Sequence, residues 1–156
     1  MRALALSALL LTPLPALADC LPGGHVFSCQ IGKKVLELCQ QGEALTYSFG
    51  PRGAPELALA ESLRSVDYTP WPGVGISIWE SVTFVNGNHA YEVWTSTDSG
   101  GGGLEGGVNV LRNGALLAQL QCDRRSASGP LDSIYSLKES VGLCWDHGAH
   151  RWSADC

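Results

Sequence analysis

Through residues 26–122, apolar and polar residues alternate in short runs broken by glycine, proline and asparagine, the period-two pattern of half-buried β-strands. The clearest run is residues 76–97, where ISIWESVTFV and AYEVWTST flank Asn86-Gly87-Asn88-His89. Glycine and asparagine at the centre suit a two-residue turn needing φ > 0, and that turn sets a register. Asn86 then faces His89, Phe84 faces Tyr91, Val82 faces Val93 and Glu80 faces Thr95, and this set shares the more apolar face with Ile78. The other face receives Trp79, Ser81, Thr83, Val85, Ala90, Glu92 and Trp94. Trp79 opposes Ser96 and Trp94 opposes Ser81, so the two indoles are diagonal neighbours with Glu92 beside them. Two readings of that face stay open: an aromatic, acidic contact patch, or a second core layer covered by a later segment such as a C-terminal helix.

Further strands are expected over residues 26–30, 34–39, 44–50 and 56–60, separated by Ile31-Gly32-Lys33, Gln40-Gln41-Gly42-Glu43 and Pro51-Arg52-Gly53-Ala54-Pro55. Residues 61–74 are expected to be irregular, because Pro70-Trp71-Pro72-Gly73 forbids a regular element. Residues 99–107 are so rich in glycine that a mobile loop is expected, and a second hairpin over 108–111 and 115–122 turns at Asn113-Gly114. About eight strands, almost all adjacent in sequence, predict a mainly β fold: an antiparallel meander forming a small barrel or sandwich, with closure into a barrel favoured. Leu131, Ile134, Leu137, Lys138 and Val141 then follow a helical period, predicting one amphipathic helix over about 130–141. Ser128 or Gly129 would cap it, with Pro130 near its first position, Asp132 in its first turn and Gly142 as its stop. Residues 143–156 form a tail with Trp145, His147, His150 and Trp152.

Residues 1–18 have the anatomy of a cleaved signal peptide: Arg2, a short apolar stretch, then Ala16-Leu17-Ala18 as the cleavage motif. Residues 19–156 would then be one domain, periplasmic or secreted, with no other apolar run long enough for a membrane helix. All six cysteines, Cys20, Cys29, Cys39, Cys122, Cys144 and Cys156, lie in that part and read as a disulfide framework. Cys144 with Cys156 is the favoured local bridge, stapling the tail, and Cys122 is expected to close onto one of the three N-terminal cysteines. Without Arg2 the chain holds nine Lys/Arg against fifteen Asp/Glu, which argues against nucleic acid and favours a basic protein partner.

Several motifs carry candidate chemistry. Gly101-x-Gly103-x-x-Gly106 matches a dinucleotide fingerprint, but a strand and not a helix is expected after it, so the helix N-terminus that would hold the phosphate is missing. Thr97-Asp98-Ser99-Gly100-Gly101 resembles the nucleophile segment of chymotrypsin-like serine proteases, without a matching histidine motif around His25 or His89. Cys144, His147, His150 and Cys156 could be drawn as a zinc set, against which an exported chain would oxidise the thiols, so no metal or cofactor is expected. Glu80 and Glu92 fall on opposite faces of the hairpin, which argues against a glycosidase pair, and Glu80 on the apolar face needs a partner such as Arg64 or Arg112.

The leader, Phe27-Ser28-Cys29, the strand meander and the terminal Leu120-Gln121-Cys122 together resemble the small periplasmic lysozyme inhibitors of Gram-negative bacteria, especially the c-type inhibitor family. That resemblance implies a non-catalytic inhibitor using a serine-glycine loop to occlude the lysozyme cleft, with Ser126-Ala127-Ser128-Gly129 or Ser99-Gly100 as the matching segment. The expectation is therefore an exported binding protein without catalysis, in contact through Trp79, Trp94, Glu92, Ser99, Gly100 and Glu105. Its partner would be a basic protein such as a lysozyme, or alternatively a glycan stacked on Trp71, Trp79 and Trp94, and a small hydrolase with an unassembled site is the third reading.

Overall fold

The computed structural model describes residues 20–156. The expected leader over 1–18 lies outside them. The chain lays down four antiparallel strands in succession, β1 (His25–Ile31), β2 (Lys34–Gln41), β3 (Ala44–Gly50) and β4 (Leu57–Ser62), which hydrogen-bond in that order. A second meander of five follows: β5 (Asp67–Thr69), β6 (Ser77–Asn86), β7 (His89–Asp98), β8 (Glu105–Arg112) and β9 (Ala115–Gln121). One helix, α1 (Ser133–Ser140), leads into a small separate hairpin of β10 (Cys144–Asp146) and β11 (Arg151–Ser153). The mainly antiparallel β architecture with one short helix and a stapled tail is as the pattern predicts.

Closure into a barrel is not. The two large sheets remain separate and face one another across a single core, in which Phe27, Leu36, Leu38, Leu45 and Tyr47 of the first meet Val82, Phe84, Val93 and Val108 of the second. The Tyr47 ring lies 5.5 Å from Phe84 and 5.6 Å from Tyr91, centroid to centroid. The free edge of β1, where a barrel would close, is occupied by the irregular segment after β9. Ser28 and Ser128 exchange two backbone bonds of 2.9 and 2.8 Å, and the Asp123 N–H donates to the Gln30 carbonyl at 2.7 Å. That cover removes an exposed edge without adding a fifth regular strand to the sheet.

The central hairpin has the register that its turn dictates, with Asn86 opposite His89, Phe84 opposite Tyr91, Trp79 opposite Ser96 and Trp94 opposite Ser81. Gly87 takes φ +61° at the first turn position. Asn113 and Gly114 both take positive φ, the type I′ geometry that Asn-Gly favours. Three features depart from expectation. The stretch over 61–74 contains β5, whose Tyr68 pairs with Val82, because three residues suffice to add an edge strand. The glycine-rich stretch is not one mobile loop: Glu105, Gly106 and Gly107 already belong to β8, paired with Ser96, Thr95 and Trp94. And α1 begins at Ser133 after Asp132, later than Pro130 would suggest, while Gly142 ends it as expected with φ +84° and its N–H on the Glu139 carbonyl.

Three disulfides hold the assembly. Cys144 joins Cys156, Cys122 joins Cys29, and Cys20 joins Cys39. The second ties the end of the five-stranded sheet to the first strand of the other. The helix and tail seal the core from the β5 side: Leu131, Ile134 and Val141 enter it, and Trp152 packs on Tyr68, Tyr135 and Trp145 with centroids 5.0–6.0 Å apart. The Trp152 indole N–H donates to the Tyr68 carbonyl at 2.8 Å. Among the described residues no helix is long and apolar enough to cross a membrane.

Candidate functional site: the outer face of the five-stranded sheet

Strand alternation sends Glu80, Val82, Phe84, Val93 and Thr95 into the core and leaves Trp79, Ser81, Thr83, Glu92, Trp94 and Ser96 on the outer face. α1 packs elsewhere, so the second-core-layer reading is overturned: Trp79 is 42% exposed and Trp94 half-buried. Adjacent strands complete three rows across that face. Trp79, Ser96 and Glu105 form the first; Ser81, Trp94, Gly107 and Gln121 the second; Thr83, Glu92, Asn109 and Gln119 the third. Four of the residues singled out from sequence, Trp79, Trp94, Glu92 and Glu105, therefore share one surface.

The second row contains the key geometry. A Cβ added to Gly107 would lie 3.1 Å from both Nε1 and Cζ2 of Trp94, so the indole occupies the space above that glycine. Lacking a side chain, Gly107 lets the ring lie over the backbone of the neighbouring strand with its other side toward solvent. In the third row the Asn109 amide donates to Glu92 Oε1 at 2.9 Å, and the Gln119 amide donates to Asn109 Oδ1 at 3.4 Å. This chain of amides orients the carboxylate and leaves it further acceptor capacity. Trp94, Asn109, Gln119, Leu120 and Gln121 line an open depression of about 430 Å³. That is the size range of small-ligand sites, on the order of 300–1,000 Å³.

Ser99 and Gly100 lie off the sheet, in the turn at its Trp79 end. The Ser99 N–H donates to the Ile76 carbonyl at 2.9 Å, and Asp98 Oδ1 accepts from the Gly100 N–H at 2.9 Å. Around that turn Val74 is 69% exposed, Ile76 78% and Ile78 40%. Trp71 lies outside the strands, with its indole N–H on the Val74 carbonyl at 3.1 Å. Ser126, in the other serine-glycine segment, is committed to structure, since its hydroxyl donates to the Asp123 carbonyl at 2.7 Å. Asn109, Gln119 and Gln121 were missed from sequence because the glycines before residue 108 concealed where β8 begins, and hence which side chains share the tryptophan face.

The remaining chemistry lies inside. Glu80 is buried on the opposite side of the sheet from Glu92, so the two carboxylates cannot address one substrate. Its partner is neither Arg64 nor Arg112 but Tyr68, whose hydroxyl donates to Oε1 at 2.6 Å. Burial raises the Glu80 carboxyl above its ordinary range, against the opposing pull of the Tyr68 hydrogen bond, and raises the Tyr68 phenol as well. Lys138 is 1% exposed, its ammonium donating to the Leu63 carbonyl at 3.0 Å and lying 5.4 Å from the Trp152 ring centre. Burial pushes that ammonium down to about 8. The drawn zinc set fails on its thiols: Cys144 and Cys156 are joined to each other. Cys20, Glu37 and Cys39 also cluster, but those two sulfurs form a disulfide and offer no thiolate.

No protein-family model, curated protein or solved structure matches the chain.

Proposed function

We propose that this chain is an exported, non-catalytic binding protein that holds a glycan on the outer face of β5–β9. The observation that supports this reading is the Trp94 indole spread over Gly107 beside the Glu92–Asn109–Gln119 amide chain. A sugar ring has an apolar face of C–H groups and a rim of hydroxyls. A half-buried indole with an open depression beside it matches the first, and neighbouring carboxylate and amide groups match the second. Three disulfides fit an oxidising compartment, and a periplasmic or secreted location follows from reading residues 1–18 as a leader.

The test is titration of the purified protein with neutral and acidic oligosaccharides, followed by calorimetry and tryptophan fluorescence. Trp94→Ala should weaken binding at least about tenfold, as expected for removal of a central aromatic anchor. Binding unchanged in that variant, or none to any saccharide, would sink the glycan reading.

A second reading, inhibition of a lysozyme-like hydrolase, draws support from a different observation: exposed Val74, Ile76 and Ile78 beside the Ser99-Gly100 turn, on a chain of formal net charge −5. An apolar edge on an acidic protein suits a basic protein partner. Activity assays with c-, g- and i-type lysozymes test it; loss of inhibition in Ile76→Ser is the expected result.

A further inference from the structure

The depression over Trp94 does not end at Gln121. The same residue lines a larger open groove of about 760 Å³, together with Gly103, Leu104, Glu105, Asp123, Arg124 and Arg125. Sheet and groove therefore form one surface, joined at the last residue of β9.

The polar groups of the groove are unequal in their commitments. Asp123 Oδ1 accepts from the Gly32 N–H at 3.3 Å, so its carboxylate is engaged with the turn between β1 and β2. Neither Arg124 nor Arg125 joins an ion pair among the described residues, and both side chains are exposed. Arg125 takes φ +61° in the bend that follows Cys122, and the bend is held by the Ser126 hydroxyl on Asp123 and by the Cys29–Cys122 disulfide. Two permanently charged guanidinium groups are thus presented, on an anchored segment, beside the tryptophan platform.

Resting on the glycan reading, we infer that the preferred ligand is an acidic saccharide whose carboxylate is met by Arg124 and Arg125 while a neighbouring ring stacks on Trp94. Guanidinium and carboxylate match as paired hydrogen-bonding forks, which favours a carboxylate over a hydroxyl at this position. Glu105, which also lines the groove, sets a limit on the charge. It repels a polymer with several charges per sugar, so the groove suits one carboxylate per ring, as in a uronic-acid oligosaccharide.

Binding of the full disulfide-bonded protein to four probes decides this: chito- and xylo-oligosaccharides, tetragalacturonate, and the methyl ester of tetragalacturonate. The expected result is tetragalacturonate bound about tenfold tighter than its ester, the discrimination expected of one charged hydrogen-bonded contact. Arg124→Gln/Arg125→Gln should bring the acid to the level of the ester and leave the ester unchanged, whereas Trp94→Ala weakens both. Equal binding of acid and ester, unaltered in the arginine variant, overturns the inference and leaves the glycan reading standing. No binding of any probe overturns both.

Discussion

The Trp94 indole and the Cα of Gly107 occupy adjacent strands so closely that a methyl group on residue 107 would meet the ring at 3.1 Å. Its neighbour Gly106 has the mirror relationship on the inner face, where an added Cβ would lie 2.9 Å from Cζ of Phe27. Two consecutive glycines thus yield to aromatic rings on opposite sides of one sheet.

Gly107→Ala should therefore destabilise the protein by about 1–3 kcal/mol, the usual range for overpacking. The new methyl would also collide with the Leu120 carbonyl oxygen, which the backbone ladder holds in place. Thermal unfolding measures the loss; a melting temperature equal to wild type would mean that the indole does not rest on this strand.

The buried Tyr68–Glu80 pair predicts a pH-dependent cost. Tyr68→Phe removes the hydrogen bond to Glu80 and leaves a carboxyl in the core without its donor, at about 1.5–3 kcal/mol. The Glu80 carboxyl is raised in the folded state, so its protonated form favours folding, and that contribution is lost as pH rises from its ordinary value through the raised one. The loss in Tyr68→Phe should accordingly be larger at pH 7 than at pH 4. Denaturant unfolding at both values checks this, and a cost independent of pH would contradict it.

Lys138 predicts the opposite slope in alkali. With the folded ammonium at about 8 and the unfolded one at its ordinary 10.5, the unfolded chain binds the extra proton between those values. Stability from this group therefore rises as pH increases from 8 to 10.5. Lys138→Met, which keeps the length and removes the charge, should flatten that rise. The measurement is the difference in melting temperature between wild type and variant across pH 7–10.5, and parallel curves would refute it.

The bridges should differ in their worth. Cys29–Cys122 spans a separation of 93 residues, against 19 for Cys20–Cys39 and 12 for Cys144–Cys156. In the chain-entropy model that is about 4–5 kcal/mol against about 3 for each of the others. Paired Cys→Ala variants compared by chemical denaturation should rank accordingly, with the tail bridge the least costly to remove. The reverse ranking would show that native packing, more than loop closure, sets their contributions.

Local chemistry made much of this architecture legible. Asn86-Gly87-Asn88-His89 and Asn113-Gly114 are turns whose backbone preferences act over a few residues, so the hairpin registers and the faces of Trp79, Trp94, Glu80 and Glu92 follow from sequence. Cys144 and Cys156 are close enough in the chain for their pairing to be read in the same way. β5 was not legible, because a three-residue edge strand has no period of its own and exists only by pairing with β6. Tyr68 as the partner of Glu80 depends on that same pairing, whereas charge alone points to Arg64 and Arg112.

The sequence by itself determined most of the longer elements, the hairpin registers and the side of the sheet on which Trp79 and Trp94 lie, because turn geometry and strand alternation act between near neighbours. Tertiary structure alone decided that two sheets stack without closing and that the helix covers the β5 side instead of the tryptophans. It also decided that Gln121 joins the Trp94 platform to Arg124 and Arg125. Those outcomes depend on which apolar faces meet and on which segment occupies the edge of β1, and contacts between residues far apart in the chain leave no periodic mark on it.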